Sequence, residues 1–223
     1  MPESLMTAET SPTAETRPTA RIFLWAASSC VVLVLLAIGF VDRPLSTWSH
    51  DHLHGQQGFI WLTWIVDPIP PLAVLGLIGA GVAAVAGWRP GSGGRVLLAL
   101  CLATVAALVI KDELKILFGR TWPETWTNNN PSWIKDGVFG FEPLHGGAGW
   151  FSFPSGHTTL VTAPMMVLWL CLPRLRALWA ALIALVVIGL LGADYHWLSD
   201  TIAGFYLGTA VAVGMVALLK AAP

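Results

Sequence analysis

The chain has 223 residues, of which 55% are hydrophobic and only 11% are charged, and its mean hydropathy is +0.68. A soluble domain carries about a quarter charged residues, so this composition indicates a protein whose solvent is largely lipid. The net charge of −1 supplies no basic field for binding nucleic acid, and the three cysteines are scattered through apolar segments without a disulfide framework or a zinc-binding spacing.

The first segment, residues 1–20, is rich in Thr, Ala, Pro and Glu, which predicts a disordered cytoplasmic tail. It is long and acidic, and the apolar run after it has full membrane-spanning length, so it does not have the pattern of a signal peptide. We interpret residues 21–223 as a single integral membrane domain.

Six apolar runs approach the roughly 20 residues that a helix needs to cross a bilayer. They are Ile22–Val41, Leu72–Trp88, Val96–Ile110, Thr158–Leu172, Ala177–Ala193 and Thr201–Leu219. Unpaired backbone groups are costly in lipid, so the runs are predicted to be helices, and the predicted fold is an all-α bundle of six transmembrane helices. The third run is short, and we expect Lys111 and Lys115 to extend it by snorkelling.

Between the first two runs, residues 43–71 are too polar to span a membrane. We predict an interfacial helix there, anchored by Trp48, Trp61 and Trp64.

The same segment contains three alternating histidines, His50, His52 and His54. We interpret them as solvated interface residues, and a weak zinc contact is the alternative.

The arginines set the orientation of the bundle. With the N-terminus inside, the short loops that contain Arg89, Arg95, Arg174 and Arg176 are cytoplasmic, as the positive-inside rule requires. The long loop Thr121–Ser152 is then outside, where its tryptophans can cover a lipid head group or anchor the loop at the interface. We expect a multi-pass membrane protein whose site faces outward, and we interpret His145 of this loop as a surface residue.

Ionisable residues converge on the outer ends of the predicted helices. They are Lys111, Lys115, Arg120, His157, Asp194, His196 and Asp200. Ionisable groups near membrane segments are rare and tend to mark function, so this convergence predicts a functional site on the outer face.

His196 and Asp200 are four residues apart, a spacing that puts them on one face of a helix. A carboxylate that binds one ring nitrogen fixes the tautomer and leaves the other nitrogen free to attack a substrate. The pair is therefore a candidate for a nucleophilic histidine and its partner, and an ordinary interfacial pair is the alternative.

The stretch "FPSGH" precedes the fourth run. Ser155 is a plausible N-cap, and the free amides of the helix that follows attract an anion. His157 would lie beside such an anion and give a proton to a leaving oxygen. A plain N-terminal turn with a solvated histidine is the alternative.

Lys115 and Arg120 supply two cations for a phosphate near the same face, whereas Lys111 is more typical of a snorkelling residue. Together these groups predict phosphoryl transfer through a phosphohistidine, with no metal or other cofactor. Two histidines and a carboxylate can also bind a metal, but the neighbouring Lys and Arg would repel a cation.

These residues resemble the type 2 phosphatidic acid phosphatase superfamily, whose pattern has three blocks. The block Pro-Ser-Gly-His is complete at residues 154–157, and the end of the last block is complete at His196 and Asp200. In the first block Lys115 and Pro123 fit, but Trp122 stands at the arginine position. The Ser-Arg positions of the last block hold Gly189 and Leu190.

The resemblance implies an integral phosphatase of the bacterial inner membrane, with its site facing the periplasm, that acts on a phospholipid or polyprenyl phosphate or pyrophosphate. The family's substrates include phosphatidic acid, phosphatidylglycerol phosphate, undecaprenyl pyrophosphate and lipid A. It also implies roles for individual residues: His196 as nucleophile, Asp200 as its partner, His157 as general acid, and Lys115, Ser155 and the Gly156 amide as phosphate ligands. Because both family arginines are absent, we expect Arg120 to substitute for one of them, with secondary help from Lys111, Lys135 or Asn128. The alternatives are a lipid phosphotransferase with the same site, a non-catalytic lipid-phosphate binding or transport protein, and an inactive family member. The sequence makes no prediction of oligomeric state.

Overall fold

The computed structural model of the chain describes residues 16–126 and 128–221. Residues 1–15 of the predicted tail lie outside the described residues. The first helix begins at Thr16, which is earlier than the predicted boundary at residue 21.

The described residues form helices joined by turns and loops, with isolated β-bridges but no β-strand. The helices are α1 (Thr16–Leu36), α2 (Asp42–Leu53), α3 (Gln57–Thr63), α4 (Ile69–Val85), α5 (Ser92–Phe118), α6 (Trp133–Asp136), α7 (Gly156–Cys171), α8 (Arg176–Gly192) and α9 (Leu198–Ala221). The all-α prediction is therefore confirmed for this part of the chain, and each of the six predicted apolar runs coincides with a helix.

Four helical segments of the described chain are long and apolar enough to cross a membrane, by length and composition. They are Arg21–Leu53, Ser92–Phe118, Pro173–Gly192 and Leu198–Lys220. The other two apolar helices, α4 and α7, are shorter, at 17 and 16 residues. Large apolar side chains remain exposed on the outside of the bundle, such as Val85 at 93% and Leu75 at 62%, and this surface suits contact with lipid chains.

The predicted interfacial segment differs from its expected form. The helix α2 continues directly from α1 through a π-helical turn at Ala37–Val41, and a short second helix, α3, follows it. The three predicted anchors, Trp48, Trp61 and Trp64, are each more than half exposed. Instead of lying free, α3 packs against α8 because Gly189 and Gly192 allow a close approach to Phe59.

The helix α7 lies in the interior of the bundle and packs against α5, α8 and α9. Its contact with α9 is close at two glycines one helical turn apart. A Cβ at Gly204 would lie 2.7 Å from the Ser155 carbonyl oxygen, and a Cβ at Gly208 would lie 2.7 Å from the Thr162 Cβ. Glycine at both positions therefore allows α7 and α9 to approach each other closely.

The helix α5 ends eight residues beyond the predicted run, at Phe118. The next residue, Gly119, has φ +55°, and a Cβ there would lie 1.8 Å from the Glu142 carbonyl oxygen, so only glycine fits this turn. The long loop that starts here folds back over the ends of α5, α7 and α9, with the backbone N–H of Ser152 donating to the Arg120 carbonyl at 3.2 Å.

Candidate active site

The turn between α8 and α9 positions His196 beside Asp200. His196 is 4% exposed, and its Nδ1 lies 3.1 Å from Oδ2 of Asp200. The same carboxylate oxygen accepts the backbone N–H of Trp197 at 3.2 Å and the hydroxyl of Ser152 at 2.5 Å. Because Nδ1 faces the carboxylate, the neutral imidazole is held as the tautomer that leaves Nε2 as the free lone pair.

The guanidinium of Arg120 lies behind this pair and is completely buried. Its Nη1 donates to Oδ1 of Asp200 at 2.5 Å, and its Nη2 donates to Oδ2 of Asp42 at 2.7 Å. Ser199 completes the network, since its backbone N–H and its hydroxyl both donate to the Asp42 carboxylate, at 3.0 and 2.5 Å. The structure therefore does not place Arg120 as the predicted phosphate clamp, because its terminal nitrogens face two carboxylates in the interior.

The N-terminus of α7 meets the N-terminus of α9 through the backbone. The N–H of Ser155 donates to the Asp200 carbonyl at 3.1 Å, directly after a cis peptide bond between Phe153 and Pro154. Ser155 is the predicted N-cap: its hydroxyl oxygen accepts the N–H of Thr158 at 3.4 Å and the Thr158 hydroxyl at 3.0 Å. In both bonds the Ser155 oxygen is the acceptor, so its own hydrogen can donate to an anion.

The two lysines at the end of α5 lie against this helix start. A Cβ on Gly156 would lie 3.3 Å from the Lys115 Nζ and 3.4 Å from the Lys111 Cδ. Lys111 is 8% exposed and its Nζ lies 2.5 Å from the Asp112 carboxylate, so the expectation that it snorkels into the interface is wrong. The absence of a side chain at Gly156 keeps the space beside the Lys115 ammonium open.

His157, on the first turn of α7, joins the same group of charges. It interacts electrostatically with His196, Lys115 and Lys111, and Lys115 in turn interacts with Asp200. The structure thus brings the predicted residues of the three sequence blocks together at one end of the bundle.

Aromatic and apolar side chains occupy the positions where the resemblance expects arginines. The Trp122 ring lies 4.9 Å from the His196 ring and 5.7 Å from the Lys115 Nζ, and its Nε1 donates to the Ala148 carbonyl at 2.7 Å. Leu190 is completely buried in the apolar core of the bundle. The cations beside His157 and His196 are therefore the lysines of α5 and not arginines at these two positions.

The secondary candidates in the loop lie elsewhere. Lys135 is exposed and donates to the side chain of Asn129, and Asn128 is exposed with φ +48°. His145 stacks on Trp150 with ring centroids 3.8 Å apart. None of the contacts described for these residues reaches His157, His196 or Asp200.

Sequence reasoning missed three residues that hold the site. Asp42 follows the first apolar run directly, so its position at the outer end of a predicted helix was a usable signal. Ser152 and Ser199 had no such signal, because single serines in loops and at helix starts are common.

Burial has opposite consequences for two ionisable groups of the α8–α9 turn. It lowers the pKa of His196, an effect that the hydrogen bond and charge of Asp200 partly offset, so the imidazole favours its neutral form. Burial raises the pKa of Asp194 to about 7, against the hydrogen bond that the Ser46 hydroxyl donates to its Oδ1 at 2.8 Å. A neutral imidazole with one nitrogen fixed by a carboxylate is suited to attack an electrophile.

Comparisons with known proteins indicate the family to which the chain belongs. A family model described as the PAP2 superfamily matches residues 96–222. The lipid A 1-phosphatase of Rhizobium etli is 36% identical over 106 residues, a match that covers 45% of this chain and 40% of that protein. The crystal structure of a transmembrane PAP2 type phosphatidylglycerolphosphate phosphatase from Bacillus subtilis matches with 18% identity and a TM-score of 0.45, covering 86% of this chain and 95% of that one. Because the family match spans more than half of the sequence, the chain belongs to the PAP2 superfamily.

Proposed function

We propose that the protein is an integral membrane phosphatase that hydrolyses a lipid phosphate or pyrophosphate through a phosphohistidine. The observation that supports this most is the pairing of His196 with Asp200 beside His157, Lys115 and the start of α7. The membership in the PAP2 superfamily and the similarity to a lipid A 1-phosphatase agree with the reaction class.

The proposed first step forms one bond and breaks one. The His196 Nε2 attacks phosphorus, the bond between phosphorus and the lipid oxygen breaks, and His157 gives its proton to the leaving oxygen. Asp200 stabilises the imidazolium character that develops on His196, because its carboxylate lies 3.1 Å from Nδ1.

The second step regenerates the enzyme. His157, now deprotonated, takes a proton from water, the oxygen attacks phosphorus, and the P–N bond breaks to release inorganic phosphate. An acceptor lipid in place of water would make the same site a phosphotransferase.

Phosphate binding in this proposal depends on Lys115, the Ser155 hydroxyl and the amides of Gly156 and the first turn of α7. Preorganised donors of this kind stabilise charge on the equatorial oxygens of the transferred group. The Trp122 ring lies beside His196 and Lys115 where the resemblance expects an arginine, so we expect a substrate head group that stacks on or packs against an aromatic ring.

In the proposed topology the six apolar helices all span the inner membrane. The helices α4 and α7 are short, but α7 lies inside the bundle, where its ends meet protein and not lipid. The site would then face the periplasm, on the side opposite the arginine-containing short loops.

The test uses purified full-length protein in detergent with EDTA and a panel of lipid phosphates and pyrophosphates. We expect the wild type to release inorganic phosphate and His196→Ala to lose at least about 1,000-fold in rate. The matched control is His145→Ala, which changes a loop histidine that stacks on Trp150 and is expected to keep the wild-type rate.

Three outcomes would contradict the proposal. Turnover retained by His196→Ala would remove the nucleophile. Transfer of phosphate to a second lipid without release would indicate a phosphotransferase, and binding of lipid phosphate without any turnover would indicate a binding or transport protein.

A further inference from the structure

We infer that His50, His54 and Glu124 form a binding site for a divalent transition metal ion, with Zn²⁺ as the best fit, outside the phosphoryl-transfer site. Each of the three offers one ligand atom, and these atoms lie within 4.8 Å of one another. The site would join the end of α2 to the long loop.

The two histidines come from one face of the α2 helix end. They are four residues apart, and their ring centroids lie 4.6 Å apart. His52, between them, points elsewhere: it stacks on Trp48 and its Nδ1 lies 2.9 Å from the Trp48 carbonyl oxygen. The alternating histidines of the sequence therefore split into two that face Glu124 and one that does not.

The carboxylate of Glu124 is oriented before any ion binds. Its Oε1 accepts the backbone N–H of Thr125 at 2.7 Å, which leaves Oε2 directed at the histidines. Oε2 lies 2.9 Å from Nδ1 of His50 and 4.0 Å from Nδ1 of His54. Outer contacts that hold a ligand in this way are a usual feature of protein metal sites.

The contact between His50 and Glu124 is short but does not have the geometry of a hydrogen bond. The Nδ1 atom of His50 is buried, yet among the described residues it has no hydrogen-bond partner. Two atoms that bind the same metal ion lie close together, but each points at the ion and not at the other atom. The His50 Nδ1 and the Glu124 Oε2 fit this arrangement.

The distances suit a tetrahedral ion after a small adjustment. With metal–ligand bonds of about 2.0–2.1 Å, two ligand atoms of tetrahedral zinc lie about 3.3 Å apart. This value falls between the distances from the Glu124 Oε2 to the Nδ1 atoms of His50, 2.9 Å, and His54, 4.0 Å. The His54 side chain is 58% exposed at the end of α2, so it is free to move inward. Two imidazoles and one carboxylate favour Zn²⁺ over Mg²⁺ or Ca²⁺, which prefer oxygen ligands, and leave a fourth position for water.

The position of the site gives the ion a structural consequence. Glu124 is two residues after Trp122, whose ring packs on His196. On α2, Ser46 lies one turn before His50 and donates to Asp194, two residues before His196. An ion held here would tie α2 to the segment that covers the nucleophile without contacting the substrate.

The experiment measures zinc binding by the full-length protein, purified with an affinity tag free of histidine and stripped with a chelator. Zn²⁺ is then titrated against a chromophoric competitor, and thermal unfolding is recorded with and without Zn²⁺. We expect one Zn²⁺ per chain and a higher midpoint of unfolding when Zn²⁺ is bound.

The variants separate this site from general binding by histidines. His50→Ala and Glu124→Gln are each expected to weaken Zn²⁺ binding more than about tenfold and to remove the thermal shift. The matched control His52→Ala is expected to bind as the wild type does. Absence of stoichiometric binding, or equal weakening in His52→Ala, would overturn the inference, and neither result depends on phosphatase activity.

Discussion

Arg120 holds a permanent positive charge between two carboxylates from distant parts of the chain. Asp42 and Asp200 are 78 and 80 residues away in sequence, and both ion pairs are completely buried. A buried charge is tolerable only while its partners compensate it, so this network depends on all three charged side chains and holds the Asp200 carboxylate beside His196. We regard Arg120 as a positioning residue, since no substrate contact is required of it.

Removal of the Arg120 charge is expected to cost about 3–5 kcal/mol of stability, because Arg120→Met leaves two buried carboxylates unpaired. The double variant Arg120→Met with Asp42→Asn is expected to recover part of that loss. Thermal unfolding in detergent measures the stability of both variants.

At a temperature where Arg120→Lys stays folded, its kcat is expected to fall more than its KM rises, whereas a phosphate clamp would mainly raise KM.

Burial of Asp194 predicts that the stability of the fold depends on pH. Its folded pKa of about 7 exceeds the ordinary value of 3.8 because the carboxyl is buried, and it faces Ser46 with Glu124 and His50 nearby. The folded state therefore binds this proton more tightly than the unfolded state, and the resulting stability is lost as pH rises from about 4 through about 7.

The neutral isostere Asp194→Asn is expected to avoid this loss. In EDTA it should unfold at a higher temperature than the wild type at pH 8, with a smaller difference at pH 5. Asparagine also tolerates the φ of +56° found here. If the unfolding temperatures of Asp194→Asn and the wild type differ by the same amount at pH 8 and pH 5, titration of Asp194 is not the cause of the difference.

At the scale of elements, the contact between α7 and α9 determines whether the parts of the site meet. Ser155 begins one helix and Asp200 lies in the first turn of the other, joined by a backbone hydrogen bond of 3.1 Å. Gly204 permits this approach, since any Cβ there would press on the Ser155 carbonyl. The separation of the two helices is therefore set by the smallest residue in the contact.

Gly204→Ala is expected to lower both stability and kcat, because α9 must move away from the start of α7. Gly214→Ala is the matched control on the same helix, where a Cβ would have open space and alanine favours the helix by about 1 kcal/mol. Thermal unfolding and phosphate release are measured on both variants. If Gly204→Ala and Gly214→Ala have the same unfolding temperature and the same rate of phosphate release, close packing at Gly204 does not position the site.

At the scale of the whole molecule, the proposed topology puts the long loop and the site on one side of the membrane and the short arginine loops on the other. Lys135 is exposed in the long loop, and Arg174 is exposed between α7 and α8. The three native cysteines lie in apolar helices and provide a background for labelling.

An impermeant maleimide applied to intact cells is expected to label Lys135→Cys and to spare Arg174→Cys until the membrane is permeabilised. Labelling of the wild type under the same conditions gives the background from the three native cysteines. The reverse pattern would place the site on the cytoplasmic side and contradict the proposed orientation.

The sequence by itself determined the six apolar helices and the contact between His196 and Asp200. Apolar runs specify helices through local backbone bonding, and the spacing of His196 and Asp200, like the capping residues before His157, is also local chemistry. These features were predicted because each depends on residues a few positions apart.

Only the tertiary structure decided what the isolated cations and small residues do. Arg120 was predicted to bind phosphate, but its neighbours are carboxylates from α2 and α9 that no local pattern links to it. Lys111 was predicted to snorkel, yet it lies buried beside Gly156. A charged side chain takes its role from whichever group lies within about 4 Å, and that distance is set by the packing of helices far apart in the chain.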